Sequence, residues 1–143
     1  MPALIHVDVF VSDLTRSVAF YQEVFGAQVI DTSDACGDIP NYYSSGKSTE
    51  CSMAILKFSA FGATLELMQL KNAAVPPSPL EGSISFQVND LDDLRRRMEA
   101  KGIRLDSPVF SVTSDKGIRS RLFFMRDPDG HRLEIVESRK LSA

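Results

Sequence analysis

The chain is poor in cysteine: Cys36 and Cys51 are the only two. Their spacing matches neither a metal-finger pattern nor a disulfide framework, which points to a reducing cytoplasm. It has no apolar run near the roughly 20 residues that cross a bilayer, so no membrane role is expected. Residues Met1 to Phe10 include no basic stretch and already carry His6 and Asp8, unlike a secretory leader. There is no excess of positive charge either. The net charge is −3 at pH 7, which excludes general binding to nucleic acid or to an anionic membrane. The one basic cluster, Arg95-Arg96-Arg97, lies among Asp92, Asp93 and Glu99 and reads as a solvated helix face.

The 143 residues are 43% hydrophobic and 24% charged. That is the balance of a folded protein of one domain, or of two fused half-domains, and it excludes disorder. Ile5, Val7, Val9 and Val11 alternate with Leu4, His6, Asp8 and Phe10, the period of a strand. Ser12 or Asp13 caps a following helix that carries Val18, Phe20, Tyr21, Val24 and Phe25 and stops at Gly26. A short strand is expected over 27–32 and a long loop over 33–50 that contains Tyr42 and Tyr43. Two more strands follow over 51–58 and 63–70. Pro76, Pro77 and Pro79 mark 71–82 as a linker.

The pattern then returns. A strand is expected over 83–88, a helix over 91–101 ending at Gly102, and strands over 103–105, 118–125 and 131–136. The turn Asp127-Pro128-Asp129-Gly130 joins the last two. Val11-Ser12-Asp13-Leu14 and Val88-Asn89-Asp90-Leu91 stand 77 residues apart, and Gly62-Ala63-Thr64-Leu65-Glu66-Leu67 and Gly130-His131-Arg132-Leu133-Glu134-Ile135 stand 68 apart. The fold class is therefore α+β: a single domain over 1–143 made of two βαβββ modules, 1–70 and 83–143.

The repeat also names equivalent side chains. His6 corresponds to Ser83, and Glu66 to Glu134. Strand alternation turns all four away from the helix-packed side. A histidine and two carboxylates on one concave sheet surface suit a divalent cation such as Mn, Fe(II), Ni, Zn or Co. Three protein ligands would leave positions open for water or substrate. The competing reading of the same residues is a solvated glutamate on each strand and a satisfied surface histidine. Phe10, Met68, Phe123 and Met125 are expected on the same surface, and suggest a partly apolar ligand. His131, of the wrong parity relative to Glu134, reads as structural.

On His6-Val7-Asp8-Val9-Phe10-Val11-Ser12-Asp13-Leu14 with Ser17, Phe20, Tyr21 and Gly26, on Ile84-Ser85-Phe86-Gln87-Val88-Asn89-Asp90-Leu91, and on Asp127-Pro128-Asp129-Gly130-His131-Arg132-Leu133-Glu134, the sequence resembles the vicinal-oxygen-chelate superfamily. That superfamily includes glyoxalase I, bleomycin-resistance proteins, extradiol dioxygenases, fosfomycin-resistance enzymes and methylmalonyl-CoA epimerase. The resemblance covers nearly the whole chain. It implies paired βαβββ modules whose mixed sheets form a cup around a divalent metal, with ligands from the first and fourth strands of each module. His6, Glu66 and Glu134 match three of those positions. Ser83 stands at the remaining one, where the metalloenzymes commonly have histidine and where water would take its place.

The resemblance implies a metal-dependent lyase or isomerase, lactoylglutathione-lyase-like, acting on a small molecule that chelates through vicinal oxygens. Glu66 or Glu134 would move the proton next to the carbonyl. The alternatives are a metal-free small-molecule binding or antibiotic-resistance protein, which Ser83 favours, and a ring-cleaving dioxygenase, whose triad needs two histidines. No distinct patch for a glutathione carboxylate is evident in the residues. A homodimer is implied by the resemblance.

Overall fold

The structure is a computed structural model that describes residues 4–60, 62–76 and 82–140. It divides into two compact units, Met1–Pro79 and Leu80–Ala143. Much of the expected linker, residues 77–81, lies outside the described residues.

In the first unit the order is β1 (His6–Phe10), α1 (Leu14–Phe25), β2 (Gln28–Cys36), α2 (Asp38–Tyr43), β3 (Glu50–Lys57) and β4 (Thr64–Leu70). The strands form one sheet in the order β1-β4-β3-β2, with β1 parallel to β4 and the other pairs antiparallel. In the second unit the order is β5 (Ile84–Gln87), α3 (Leu91–Ala100), β6 (Phe110–Thr113), β7 (Ile118–Arg126) and β8 (Arg132–Lys140). Its sheet runs β5-β8-β7-β6, with β5 parallel to β8. The α+β class is as the repeat predicts, and the mixed sheets are as the resemblance implies.

The helices form where their caps place them. Asp13 accepts a hydrogen bond from the Arg16 amide at 3.1 Å, and Asp90 accepts one from the Asp93 amide at 3.0 Å. Gly26 ends α1 at φ 67°, and the bonds Gly26 N–H to Gln22 and Ala27 N–H to Tyr21 close the last turn. A second tie repeats between the units. The Leu14 amide donates to Gln69 Oε1 at 2.8 Å, and the Leu91 amide to Glu137 Oε2 at 2.9 Å. α1 and α3 thus each have an orphan N-terminal amide satisfied by the last strand of their own unit.

One face of each sheet packs against the helix of its own unit. In the first unit Val9, Ala54, Leu56, Leu65 and Leu67 are buried, with Tyr21 and Val24 of α1. In the second, Phe123, Met125, Leu133 and Ile135 are fully buried, as are Leu91 and Met98 of α3. Arg95 of α3 lays its guanidinium 5.1 Å from the centre of the Phe123 ring.

Three local expectations change. First, the stretch 33–50 is not a loop: β2 continues to Cys36 and α2 follows. As the edge strand, β2 is polar on both sides, so it shows no hydrophobic alternation and is held by backbone pairing to β3. Pro40 lies in the first turn of α2, where its missing N–H costs little. Second, the strand expected over 103–105 is reduced to one bridge, Leu105 to Met125, and the fourth strand is β6. Third, Phe123 and Met125 do not share the face of Glu134. Glu134 pairs with Phe124, while Phe123 and Met125 pair with Ile135 and Leu133 on the helix side. A register shift of one residue inverts every side chain, so only strand pairing could settle this.

Candidate metal centre

The pairing of β1 with β4 sets Asp8 directly beside Glu66. His6 and Asp8 are two residues apart on β1 and therefore share a face. In the second unit the same register sets Ser85 beside Glu134, so the offsets seen in the sequence are also the offsets of the sheets. Ser83 immediately precedes β5 and is exposed.

His6 Nε2 lies 3.3 Å from Glu66 Oε2 and 3.4 Å from Asp8 Oδ1. One donor atom from each of the three residues lies within 4.8 Å of the others. This is the one such group of three among the described residues. The side chains are neither sealed nor free in solvent: His6 is 28% exposed, Asp8 29% and Glu66 12%.

His6 only partly offsets the two carboxylates of the cluster. Burial pushes the Glu66 carboxyl above the usual carboxylate range; the charge of Asp8 adds to this, His6 opposes it, and Asp31 adds a smaller push. Asp31 contributes because β2 and β3 align it with Ile55, which in turn pairs with Glu66 across the same face. Asp8 Oδ1 is the one buried side-chain oxygen or nitrogen among the described residues without a hydrogen-bond partner. A buried carboxylate oxygen in that state is costly.

The other oxygen of Asp8 is held. Tyr43 Oη donates to Asp8 Oδ2 at 3.3 Å. Burial and the charge of Asp8 push the Tyr43 phenol up, so it remains a donor at neutral pH. The Tyr43 ring meets Phe10 edge-on at 4.8 Å and joins an apolar cluster of Cys51, Met53, Met68 and Leu70 on the same face. Of the two tyrosines, Tyr43 packs on the sheet and Tyr42 is 80% exposed. Burial also raises the Cys51 thiol, which sits fully inside this cluster.

The structure therefore brings together His6 and Glu66 and adds Asp8, which the sequence reading did not single out. The signal was present: Asp8 follows His6 at a spacing of two, on the same strand face. Glu134 lies in the second unit, where it accepts a hydrogen bond from Ser85 Oγ at 3.0 Å. His131 contributes its backbone to the Asp127–His131 turn, its amide donating to Asp127 Oδ1 at 2.9 Å.

One imidazole nitrogen and two carboxylate oxygens, with no thiolate, form a donor set for a borderline or hard divalent cation. Ligands bonded at about 2.1 Å in a tetrahedral arrangement lie about 3.4 Å apart, close to the two separations measured from His6. The residues present fit such an ion.

The family model for the Glyoxalase/Bleomycin resistance protein/Dioxygenase superfamily matches residues 3–135, and the chain belongs to that superfamily. Among curated relatives, it is 27% identical over 140 residues to the lactoylglutathione lyase of Salmonella typhimurium, covering 95% of this chain and 93% of that one. Among solved structures, it resembles a glyoxalase family protein from Bacillus cereus at a TM-score of 0.74 and 17% identity, over 96% of this chain and 95% of the other. It also resembles a trypanothione-dependent glyoxalase I of Leishmania major at a TM-score of 0.68 and 22% identity, over 96% and 87%. At these identities the structural likeness speaks for the fold, and a fold hosts many chemistries.

Proposed function

We propose that the chain is a divalent-metal-dependent lyase or isomerase that acts on a small molecule with vicinal oxygens. The grouping of His6, Asp8 and Glu66 donor atoms within 4.8 Å carries this reading. The names of curated relatives, several of them lactoylglutathione lyases of nearly the same length, support it. Beyond Ser83, no observation favours the metal-free alternative, and the single histidine of the cluster does not make the dioxygenase triad.

His6 and Glu66 hold the metal, and Glu134 keeps the role that the resemblance gives it, a second carboxylate for ligation or proton transfer. When bound, a divalent metal supplies Lewis-acid polarisation of substrate oxygens. A carboxylate beside the metal, Glu66 or Glu134, would accept and return the proton next to the substrate carbonyl. The apolar cluster around Phe10 and Met68 gives the adjoining surface an affinity for an aliphatic or aromatic portion of the substrate. We further infer a cytoplasmic homodimer, which light scattering of the purified chain tests.

The test is turnover of α-ketoaldehyde–thiol adducts by the full chain loaded with Mn, Co, Ni or Zn. The glutathione adduct comes first, because the relatives' names point to it. Metal-dependent turnover that falls by about 10²–10⁴ in Glu66→Gln supports the reading. Activity indifferent to chelator, or metal-dependent turnover undiminished in His6→Ala and Glu66→Gln, overturns it.

A further inference from the structure

We infer that Asp8 is itself a metal ligand, so that His6, Asp8 and Glu66 make a protein donor set within the first unit, and that Tyr43 is the positioning residue that aims it. The inference rests on the metal-dependent reading above, but concerns a residue that the family positions do not include.

Three observations converge on Asp8. Its Oδ1 is buried without a hydrogen-bond partner, and His6 Nε2 stands 3.4 Å from it. Its other oxygen, Oδ2, is engaged by Tyr43, leaving Oδ1 to meet a cation. This is how outer partners fix carboxylate ligands: one oxygen takes the metal and the other a hydrogen bond. Finally, the second unit lacks this chemistry at the corresponding positions. Ser83 and Ser85 stand where the first unit has His6 and Asp8, and Ser85 donates to Glu134. Ser83 offers no imidazole at the position that matches His6, and Asp8 offers a carboxylate where the second unit has Ser85. The first unit by itself then supplies three protein donors, two of them carboxylate oxygens, which shifts preference toward harder ions such as Mn and Fe(II) and away from Zn.

Asp8 has one competing role, as the group that moves the substrate proton without touching the metal. The two roles predict different measurements. The experiment is a titration of metal-free, full-length protein with Mn(II), followed by electron paramagnetic resonance of the free ion, on wild type, His6→Ala, Asp8→Asn and Tyr43→Phe. Circular dichroism verifies that each variant is folded, and Asp8→Glu serves as a conservative variant should Asp8→Asn fail to fold. The expected result is that Asp8→Asn weakens Mn(II) binding by at least about tenfold and Tyr43→Phe by a smaller factor, with Asp8→Glu retaining part of the affinity. The Mn(II)-over-Zn(II) preference should also fall in Asp8→Asn. Binding lost in His6→Ala but unchanged in Asp8→Asn overturns the inference alone and leaves the metal-dependent function standing. A wild-type chain that binds no Mn(II), Co(II), Ni(II) or Zn(II) overturns both.

Discussion

The first and second units are built on the same strand order and the same β–α–β entry, yet they present different chemistry on matching faces. In the first, Asp8 and Glu66 sit side by side with His6 one step along the strand. In the second, Ser85 and Glu134 sit side by side and are hydrogen-bonded, with Ser83 in the place of the histidine. The glutamate is common to both. The difference is made by two side chains at matching positions near the start of each unit, His6 and Asp8 on β1, Ser83 just before β5 and Ser85 on it. Where they are histidine and aspartate, the face carries an unsatisfied oxygen and a raised carboxyl; where they are serines, the glutamate is bonded to a neutral partner. Backbone repetition therefore preserves positions, and the side chains at these positions decide which unit gathers a histidine and two carboxylates.

The comparison can be broken most severely in the cores. Leu67 and Ile135 are equivalent by the repeat, and both are fully buried on the helix-packed face. Leu67→Ala and Ile135→Ala are each expected to cost about 2–5 kcal/mol in denaturant unfolding. Closely similar costs would mean that the two units share one packing scheme. A negligible cost in either would show that its helix is not the partner of that face.

A finer test uses the ties between helix and last strand. Removing the acceptor of the Leu14 amide in Gln69→Ala should cost about 0.5–1.5 kcal/mol. Glu137→Ala should cost more, about 1.5–3 kcal/mol, because a charged acceptor at a helix N-terminus also meets the helix dipole. Thermal melts of both variants would order them, and the reverse order would contradict the assigned roles.

The smallest effect concerns pH. Burial and the neighbouring Asp8 hold the Glu66 carboxyl above its value in the unfolded chain. The folded, metal-free state therefore takes up a proton more readily than the unfolded state. That contribution to stability is present below the ordinary carboxylate range and is lost as pH rises through the raised value. Glu66→Gln should accordingly raise the melting temperature of the metal-free chain at pH 7, on the order of 1–3 °C, and the gain should shrink toward pH 4. A pH-independent difference would point to packing instead. In the metal-loaded chain the sign reverses, because the ion needs the ionised carboxylate.

Much of this architecture was legible in local patterns. The alternation of β1, the capping aspartates Asp13 and Asp90, the stop at Gly26 and the twofold return of Gly-x-x-Leu-Glu are short-range features, and short-range steric and hydrogen-bonding preferences suffice to produce them. They marked both modules, His6, Glu66 and Glu134. Less visible were elements whose identity depends on a partner. The polar edge strand β2 and the short helix α2 have no amphipathic period to announce them, and Phe123 and Phe124 exchange faces with a one-residue change of register. Asp8 was visible as a strand residue on the His6 face but not as a neighbour of Glu66. That neighbourhood exists because β1 pairs in parallel with β4 and not with the strand next to it in sequence. Periodicity reports which way a side chain faces, whereas the hydrogen-bonded register between distant strands decides what it faces; the repeat and its candidate ligands belong to the sequence, and the grouping of His6, Asp8 and Glu66 under Tyr43 belongs to the tertiary fold.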